Sequence, residues 1–169
     1  MAKKSLDTNA GYGGAVGAPA AAGQVTVRPV KRSDLEQVIA IDAAATGLQK
    51  PSYWRSIYRR YGVAHDQPRQ FLVAAADGRV VGYAIGEVRD WEFGEPPCGW
   101  VFALHVDPRA RQAGIGTRLL QALSAGFRRA GVRKMRTLLA RENTLILSFF
   151  RSQGMTAGSL IPLEMELES

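Results

Sequence analysis

Along the 169-residue chain, stretches that repeat every two residues give way to stretches that repeat every three to four, and the switch points divide it into elements. Val25 to Arg28 alternates apolar and polar as a strand does, and Ser33-Asp34-Leu35-Glu36 has the form of a capping box opening a helix through about Asp42. Lys50 to Tyr61 sets Tyr53, Trp54, Ile57, Tyr58 and Tyr61 at helical spacing. Phe71 to Ala76 and Arg79 to Val88 read as strands around Asp77-Gly78, a dipeptide favoured in type I′ hairpin turns, where both central residues need positive φ. Gly99 to Val106 is a further strand. Ile115 to Ala130 gathers Leu119, Leu123, Phe127 and Ala130 on one helical face and leaves Arg118, Gln121, Arg128 and Arg129 largely off it. Lys134 to Ala140 predicts a strand and Asn143 to Gln153 a short helix. Leu160 to Glu168, alternating Leu160, Pro162/Leu163, Met165 and Leu167, predicts a last strand. The order β-α-α-β-β-β-α-β-α-β, with no internal repeat, predicts an α+β or α/β domain around one mixed sheet.

Residues 1–24 show no such period. AGYGGAVGAPAAAG offers little large apolar surface to bury, so a flexible Gly/Ala-rich tail is expected ahead of one domain over residues 25–169. With 46% apolar and 22% charged residues the chain can bury a core, which excludes collagen-like, wholly disordered and disulfide-scaffold classes. No apolar run approaches the ~20 residues of a membrane span, and the N-terminus lacks the apolar stretch of a signal peptide. The lone Cys98 cannot close an internal disulfide, so a cytoplasmic protein without a membrane partner is expected. The net charge of +7, from 22 Lys+Arg against 15 Asp+Glu, leaves nucleic acid, an acidic protein, an anionic cofactor and plain solubility open. Lys3, Lys4 and Asp7 account for only one unit of that excess, so the basicity belongs to the domain.

The segment Leu104 to Leu120, LHVDPRARQAGIGTRLL, carries the chemistry. A strand ends at Val106, Pro108 blocks its continuation, and Gly114 and Gly116 stand where a helix begins. Such a turn leaves backbone N–H groups without intrahelical partners at the positive end of the helix dipole, a place that suits an anion. Glycines let a phosphate approach the backbone, and Thr117 adds a hydroxyl donor. No Lys follows Gly116, which departs from the G-x-x-x-x-G-K-[ST] phosphate loop, and Leu119 stands where a dinucleotide fingerprint has its third Gly or Ala.

Arg111-Gln112-Ala113-Gly114-Ile115-Gly116 does match Q/R-x-x-G-x-G/A, and it resembles the acyl-CoA motif of the GNAT superfamily of N-acyltransferases. Asn143 to Met155, an Asn followed by a helix that ends in Gly154 and a bulky apolar residue, resembles that family's second signature. The resemblance spans about Val25 to Glu168. It implies a mostly antiparallel central sheet flanked by helices, with the fourth strand (Trp100 to Val106) splayed from the fifth, and acetyl-CoA as cosubstrate without a metal. By the same resemblance, the backbones of Leu104, His105 and Val106 pair with pantetheine amides. Arg111, Gln112, Ala113, Gly114, Ile115, Gly116 and Thr117 wrap the pyrophosphate, and Asn143 contacts the pantetheine or a nearby water. Phe150 occupies the cofactor-side helix position that often holds a Tyr, thought to protonate the departing thiolate; no phenol is available there. A thiol of pKa about 8.5 leaves tolerably without one. An amine of pKa about 10.4 must still lose a proton before it attacks, so a base is sought, acting through water.

His105 titrates in the right range and lies beside the expected thioester, though strand alternation can turn it into the core; Glu87, Glu92 and Glu95 are alternatives. Trp100 stands where some relatives carry a catalytic Glu. Cys98 reads as a small half-buried residue rather than a nucleophile, because the family transfers its acyl group directly. Acceptor choice in the family comes from the first two helices, the loop before the fourth strand and the last strands. Here these hold Tyr53, Trp54, Tyr58, Trp91, Phe93 and Trp100, beside an acidic cluster of Glu87, Asp90, Glu92 and Glu95 that suits a cationic amine.

The expected function is therefore acetyl transfer from acetyl-CoA to a primary amine of a small molecule, peptide or protein. Other acyl donors or acceptors on the same scaffold and a non-catalytic acyl-CoA sensor are the alternatives. A homodimer fits the resemblance. A nucleic-acid module is not expected, because Arg128, Arg129, Arg133, Lys134 and Arg136 come without a recognition-helix or RNA-binding signature.

Overall fold

The computed structural model describes residues 24–63 and 69–167. The tail expected over residues 1–24 lies outside them except for its last residue. In chain order the elements are β1 (Thr26–Pro29), α1 (Leu35–Thr46), α2 (Pro51–Ile57), β2 (Arg69–Ala76), β3 (Arg79–Arg89), β4 (Cys98–Val106), α3 (Ile115–Arg129), β5 (Met135–Thr137) and α4 (Thr144–Ser152). The strands form one sheet in the order β1-β2-β3-β4-β5. All neighbours are antiparallel except β4 and β5, which run parallel because the α3 crossover joins them.

Strand alternation sorts the core onto two faces. Phe71, Val73, Tyr83 and Ile85 point to the face covered by α1 and α2, where Leu35, Val38, Ile41, Trp54 and Ile57 meet them. Ala74, Ala84, Val101, Leu104 and Val106 point to the other, under Ile115, Leu119, Leu123 and Phe127 of α3 and Phe150 of α4. A register shift gives β4 one extra residue at Phe102, between the pairs Ile85↔Ala103 and Gly86↔Val101. This β-bulge bends the strand. It falls where the pairing with β5 stops, after Val101↔Thr137. The last rung is tied by Thr137 Oγ1 donating to the Val101 carbonyl at 2.8 Å.

At the closed end of β4, Gly99 lets the Phe127 ring lie directly on the backbone. A Cβ there would sit 2.7 Å from Phe127 Cγ and 2.8 Å from Cε2, well inside contact distance.

The hairpin turn is of the expected hand, with φ of 49° at Asp77 and 76° at Gly78. Other boundaries moved. The α1 entrance is fixed two residues earlier than the expected box: the Asp34 carboxylate accepts the Lys31 N–H at 2.7 Å while pairing with Arg28 at 2.7 Å, and Ser33 is exposed. Arg28, chiefly through its hydrogen bond, holds the buried Asp34 carboxyl below its ordinary range. The helix then continues past Asp42 to Thr46. The second helix keeps α geometry only to Ile57 and widens into a π-turn over Tyr58–Gly62.

The fifth strand is three residues long instead of reaching from Lys134 to Ala140, because β4 bends away and leaves the following residues nothing to pair with. The strand expected over Leu160 to Glu168 does not form. Residues 160–167 have no ladder partner, and Ile161, Leu163, Met165 and Leu167 are exposed; Glu168 lies outside the described residues. Alternation gives a segment two faces, but a strand also needs an edge to pair with.

Candidate active site

From Phe102 onward, β4 is bonded on one side only. The gap beside it opens into a cleft of about 740 Å³. Leu104, His105 and Val106 form its strand wall, Arg111, Gly114, Gly116 and Thr117 its end, Asn143, Leu145, Ile146 and Phe149 the opposite wall, and Ala44 and Ala45 the α1 rim. Eight of the residues singled out from the sequence therefore meet in one place: Leu104, His105, Val106, Arg111, Gly114, Gly116, Thr117 and Asn143.

The end wall is built as a strand-to-helix turn. After Val106 the chain makes a 3-10 turn over Pro108–Ala113, and Gly114, at φ +68°, redirects it into α3. An L-residue side chain is strained at that φ, so glycine belongs there. The first N–H groups of α3 have no partners within the helix and face the mouth of the turn. Asp107 holds the turn's other side by accepting the Arg109 N–H at 3.0 Å and pairing with its guanidinium at 2.8 Å. That bond keeps the Asp107 carboxyl below its ordinary range. It also commits Arg109 to Asp107, so Arg111 is the arginine of the turn that lines the cleft. The side chains of Gln112 and Ala113 lie outside the described residues.

Two expected residues are placed elsewhere, and a third keeps only its backbone at the turn. Ile115 is 2% exposed, so its side chain belongs to the core under α3 while its N–H stays among the leading amides of that helix. Phe150 is 6% exposed and packs in the same core; its neighbour Phe149 is the ring in the cleft wall. Helical geometry turns adjacent residues by about 100°, so one of the two must face the sheet. Glu87 is outside the cleft, accepting hydrogen bonds from Tyr61 Oη and Arg89 Nε, each at 3.0 Å, with Arg69 at 3.7 Å.

The acidic cluster expected to attract a cation is largely neutralised within the protein. Glu95 is bridged by Lys134 and Arg136, and Arg89 serves Glu87 and Glu92 together. Of the aromatic residues considered for an acceptor pocket, Trp54 is core and Trp100 lies under the Arg89 guanidinium at 5.0 Å. Trp91 and Phe93 are exposed. Cys98 is buried, its thiol donating to the Lys134 carbonyl at 3.4 Å and pushed up in pKa by burial.

Asn143 caps α4 by accepting the Ile146 N–H at 3.2 Å, which gives this residue a structural task besides its place in the cleft. His105 stands opposite Tyr83 in the ladder, and its Nδ1 lies 3.1 Å from the Tyr83 hydroxyl. Burial lowers the imidazole's affinity for a proton; Asp42 offsets this in part, while Lys50 and Arg111 add to it. Asp42, at 3% exposed, accepts from Trp54 Nε1 at 3.0 Å and pairs with Lys50 at 3.0 Å.

The sequence reading missed Ala44, Ala45, Leu145, Ile146 and Phe149. The run of small residues closing α1 is the one local sign of a rim; the apolar positions of α4 look like any core-facing set.

Among the described residues there is no group of three or more His, Cys, Asp or Glu placed to hold a metal, and no helix long and apolar enough to cross a membrane. Comparison with known proteins bears on the same residues. The chain matches the acetyltransferase (GNAT) family over residues 35–155. It is 30% identical over 142 residues to an uncharacterized N-acetyltransferase of Methanocaldococcus jannaschii, covering 80% of this chain and 81% of that protein. It is 31% identical over 94 residues to the L-2,4-diaminobutyric acid acetyltransferase of Nocardia farcinica, covering 56% of this chain and 47%, about half, of that relative's length. Its fold matches that of an aminoglycoside N-acetyltransferase in complex with CoA, with a TM-score of 0.75, 19% identity, and coverage of 87% and 97% of the two chains. The mixed sheet, its parallel β4–β5 pair and the match across the turn, the cleft and α4 agree: the chain belongs to the GNAT acetyltransferase family.

Proposed function

We propose that the protein transfers an acetyl group from acetyl-CoA to a primary amine of a small molecule, peptide or protein, by direct attack with donor and acceptor bound together. The observation that carries this reading is the parting of β4 from β5 at Phe102, which leaves an open strand edge running into the glycine turn of α3. The residues present fit such a donor. The leading amides of α3 and the Arg111 side chain suit a pyrophosphate, each charged hydrogen bond contributing about 1.5 to 3 kcal/mol. The unpaired edge of Leu104 to Val106 offers N–H and C=O groups to an amide-bearing arm, and Leu104, Val106 and Phe149 cover its apolar parts. When bound, the thioester supplies an acyl group already activated toward an amine. The names of the two relatives that specify a substrate, for diaminobutyric acid and an aminoglycoside, support an amine acceptor. Of the two side chains expected to carry catalysis, His105 lines the cleft and Glu87 is held in ion pairs outside it, so the reading gives the chemistry to His105. A cytoplasmic location goes with this reading.

Calorimetry with acetyl-CoA tests the site: wild type binds in the micromolar range and Gly114→Asp, which sets a carboxylate in the anion's place, does not. Unchanged binding by the variant would remove the turn from the site. A screen of acyl-CoAs against amines, read by release of the free thiol, then identifies donor and acceptor. The second reading, an acyl-CoA sensor without turnover, is favoured by one observation: α4 presents Phe149 and Phe150 and no phenol. Acetyl-CoA binding with no thiol release from any amine, peptide or protein would establish it.

A further inference from the structure

The sequence offers His105 as a base, but its surroundings fix its proton in the opposite sense. Tyr83 is fully buried, enclosed by Trp54 with ring centroids 5.0 Å apart and by Phe71 at 6.4 Å. Its hydroxyl has one hydrogen-bond partner among the described residues, His105 Nδ1 at 3.1 Å, with the two rings stacked at 29°. Were Nδ1 the protonated nitrogen, it would donate to the phenol oxygen and leave the phenol's own hydrogen buried among aromatic rings with no acceptor. The arrangement that satisfies both groups has Tyr83 donating and Nδ1 accepting. A neutral imidazole then carries its single hydrogen on Nε2. That nitrogen has no partner among the described residues, and His105 lines the cleft.

We propose that His105 is a neutral Nε2–H donor to the charge that develops on the acyl thioester, with Tyr83 as the positioning residue that fixes its tautomer. This rests on the reading of the cleft as an acyl-CoA site. In the step so assisted, the amine nitrogen attacks the thioester carbon and the C–N bond forms as the carbonyl electron pair moves to oxygen. The pair then returns, the C–S bond breaks, and the thiolate leaves with its electrons. The proton released by the amine nitrogen passes to water in the open cleft. His105 donates a hydrogen bond to this charge and keeps its proton throughout. The groups facing the ring agree with a neutral imidazole: Lys50 and Arg111 oppose its protonation, Asp42 is already held by Lys50 and Trp54, and burial keeps the Tyr83 phenol protonated and so a donor.

Nitrogen-15 NMR of the imidazoles in the full chain, with His105→Gln used to assign the signals, reads the tautomer without any turnover. The expected result is Nε2–H in wild type and a mixture in Tyr83→Phe; a dominant Nδ1–H form in wild type overturns the proposal. Kinetics supply the second arm. Gln places an N–H donor where Nε2–H stood and cannot act as a base, so His105→Gln keeps kcat within about tenfold of wild type. His105→Leu falls by about 100-fold, the scale of one lost charge-stabilising donor, with the KM for acetyl-CoA within about twofold. If Gln is as damaging as Leu in a protein whose wild type turns over, His105 is a base and the proposal fails. Absence of turnover by wild type with every amine strikes the acetyltransferase reading instead.

Discussion

The two ends of β4 differ in what their backbones are bonded to. From Gly99 to Val101 the strand has β3 on one side and β5 on the other, and Phe127 lies on it at Gly99. From Phe102 to Val106 it has β3 alone, and its free edge lines the cleft. One bulge residue separates them. The closed end has its hydrogen-bonding groups paired within the protein, and the open end leaves its outer groups unpaired along the cleft. Under the proposed acyl-CoA reading, stability and binding fall to successive halves of a single strand.

Substitutions at either end test that division. The largest effect is expected from Gly99→Val, which forces the Phe127 ring off the backbone and costs about 3 kcal/mol in urea unfolding, while the folded fraction keeps its acetyl-CoA affinity. At the open end, Arg111→Ala is expected to lower acetyl-CoA affinity about tenfold by calorimetry, or about 1.4 kcal/mol, with Tm unchanged. The reverse pattern, binding lost at Gly99 or stability lost at Arg111, would break the comparison. Thr137→Val, which removes the bond closing the last β4–β5 rung, is expected to cost about 1 kcal/mol of stability and to leave β4's open edge in place.

The smallest effect is a pH dependence at His105. Its folded pKa lies below the ordinary value of 6.5, so between the two the unfolded chain binds the extra proton. This group's contribution is therefore fully present above about 6.5 and is lost as pH falls toward the folded value. Acidification from pH 7 to 5 should lower the melting temperature of wild type more than that of His105→Gln; equal slopes would place His105 in an unperturbed environment.

Much of this was legible beforehand, for local reasons. Gly114 must be glycine because its φ is positive, and that constraint shows in the sequence as a motif. The Asp77-Gly78 turn and the Leu119, Leu123, Phe127 stripe are local in the same way, written in dihedral preference and periodicity. The pairing of Glu87 with Arg89 follows from strand alternation, but those of Glu87 with Arg69 and of Glu95 with Lys134 and Arg136 join residues up to 41 positions apart, and no spacing rule announces them. They convert a loop that reads as acidic into one that is largely balanced. The failed last strand has a similar cause, since the alternation of Leu163, Met165 and Leu167 specifies a shape but names no partner edge.

The sequence by itself determined the turn, the family and which strand would border the cleft, because each depends on residues close together in the chain. Only the tertiary structure decided what those residues can do. It turned Phe149 rather than Phe150 toward the cleft, drew Glu87 away from it, and set the buried Tyr83 hydroxyl against His105 Nδ1. A proton's place on an imidazole depends on which neighbour can offer or take a hydrogen bond, and packing selects that neighbour from across the sheet.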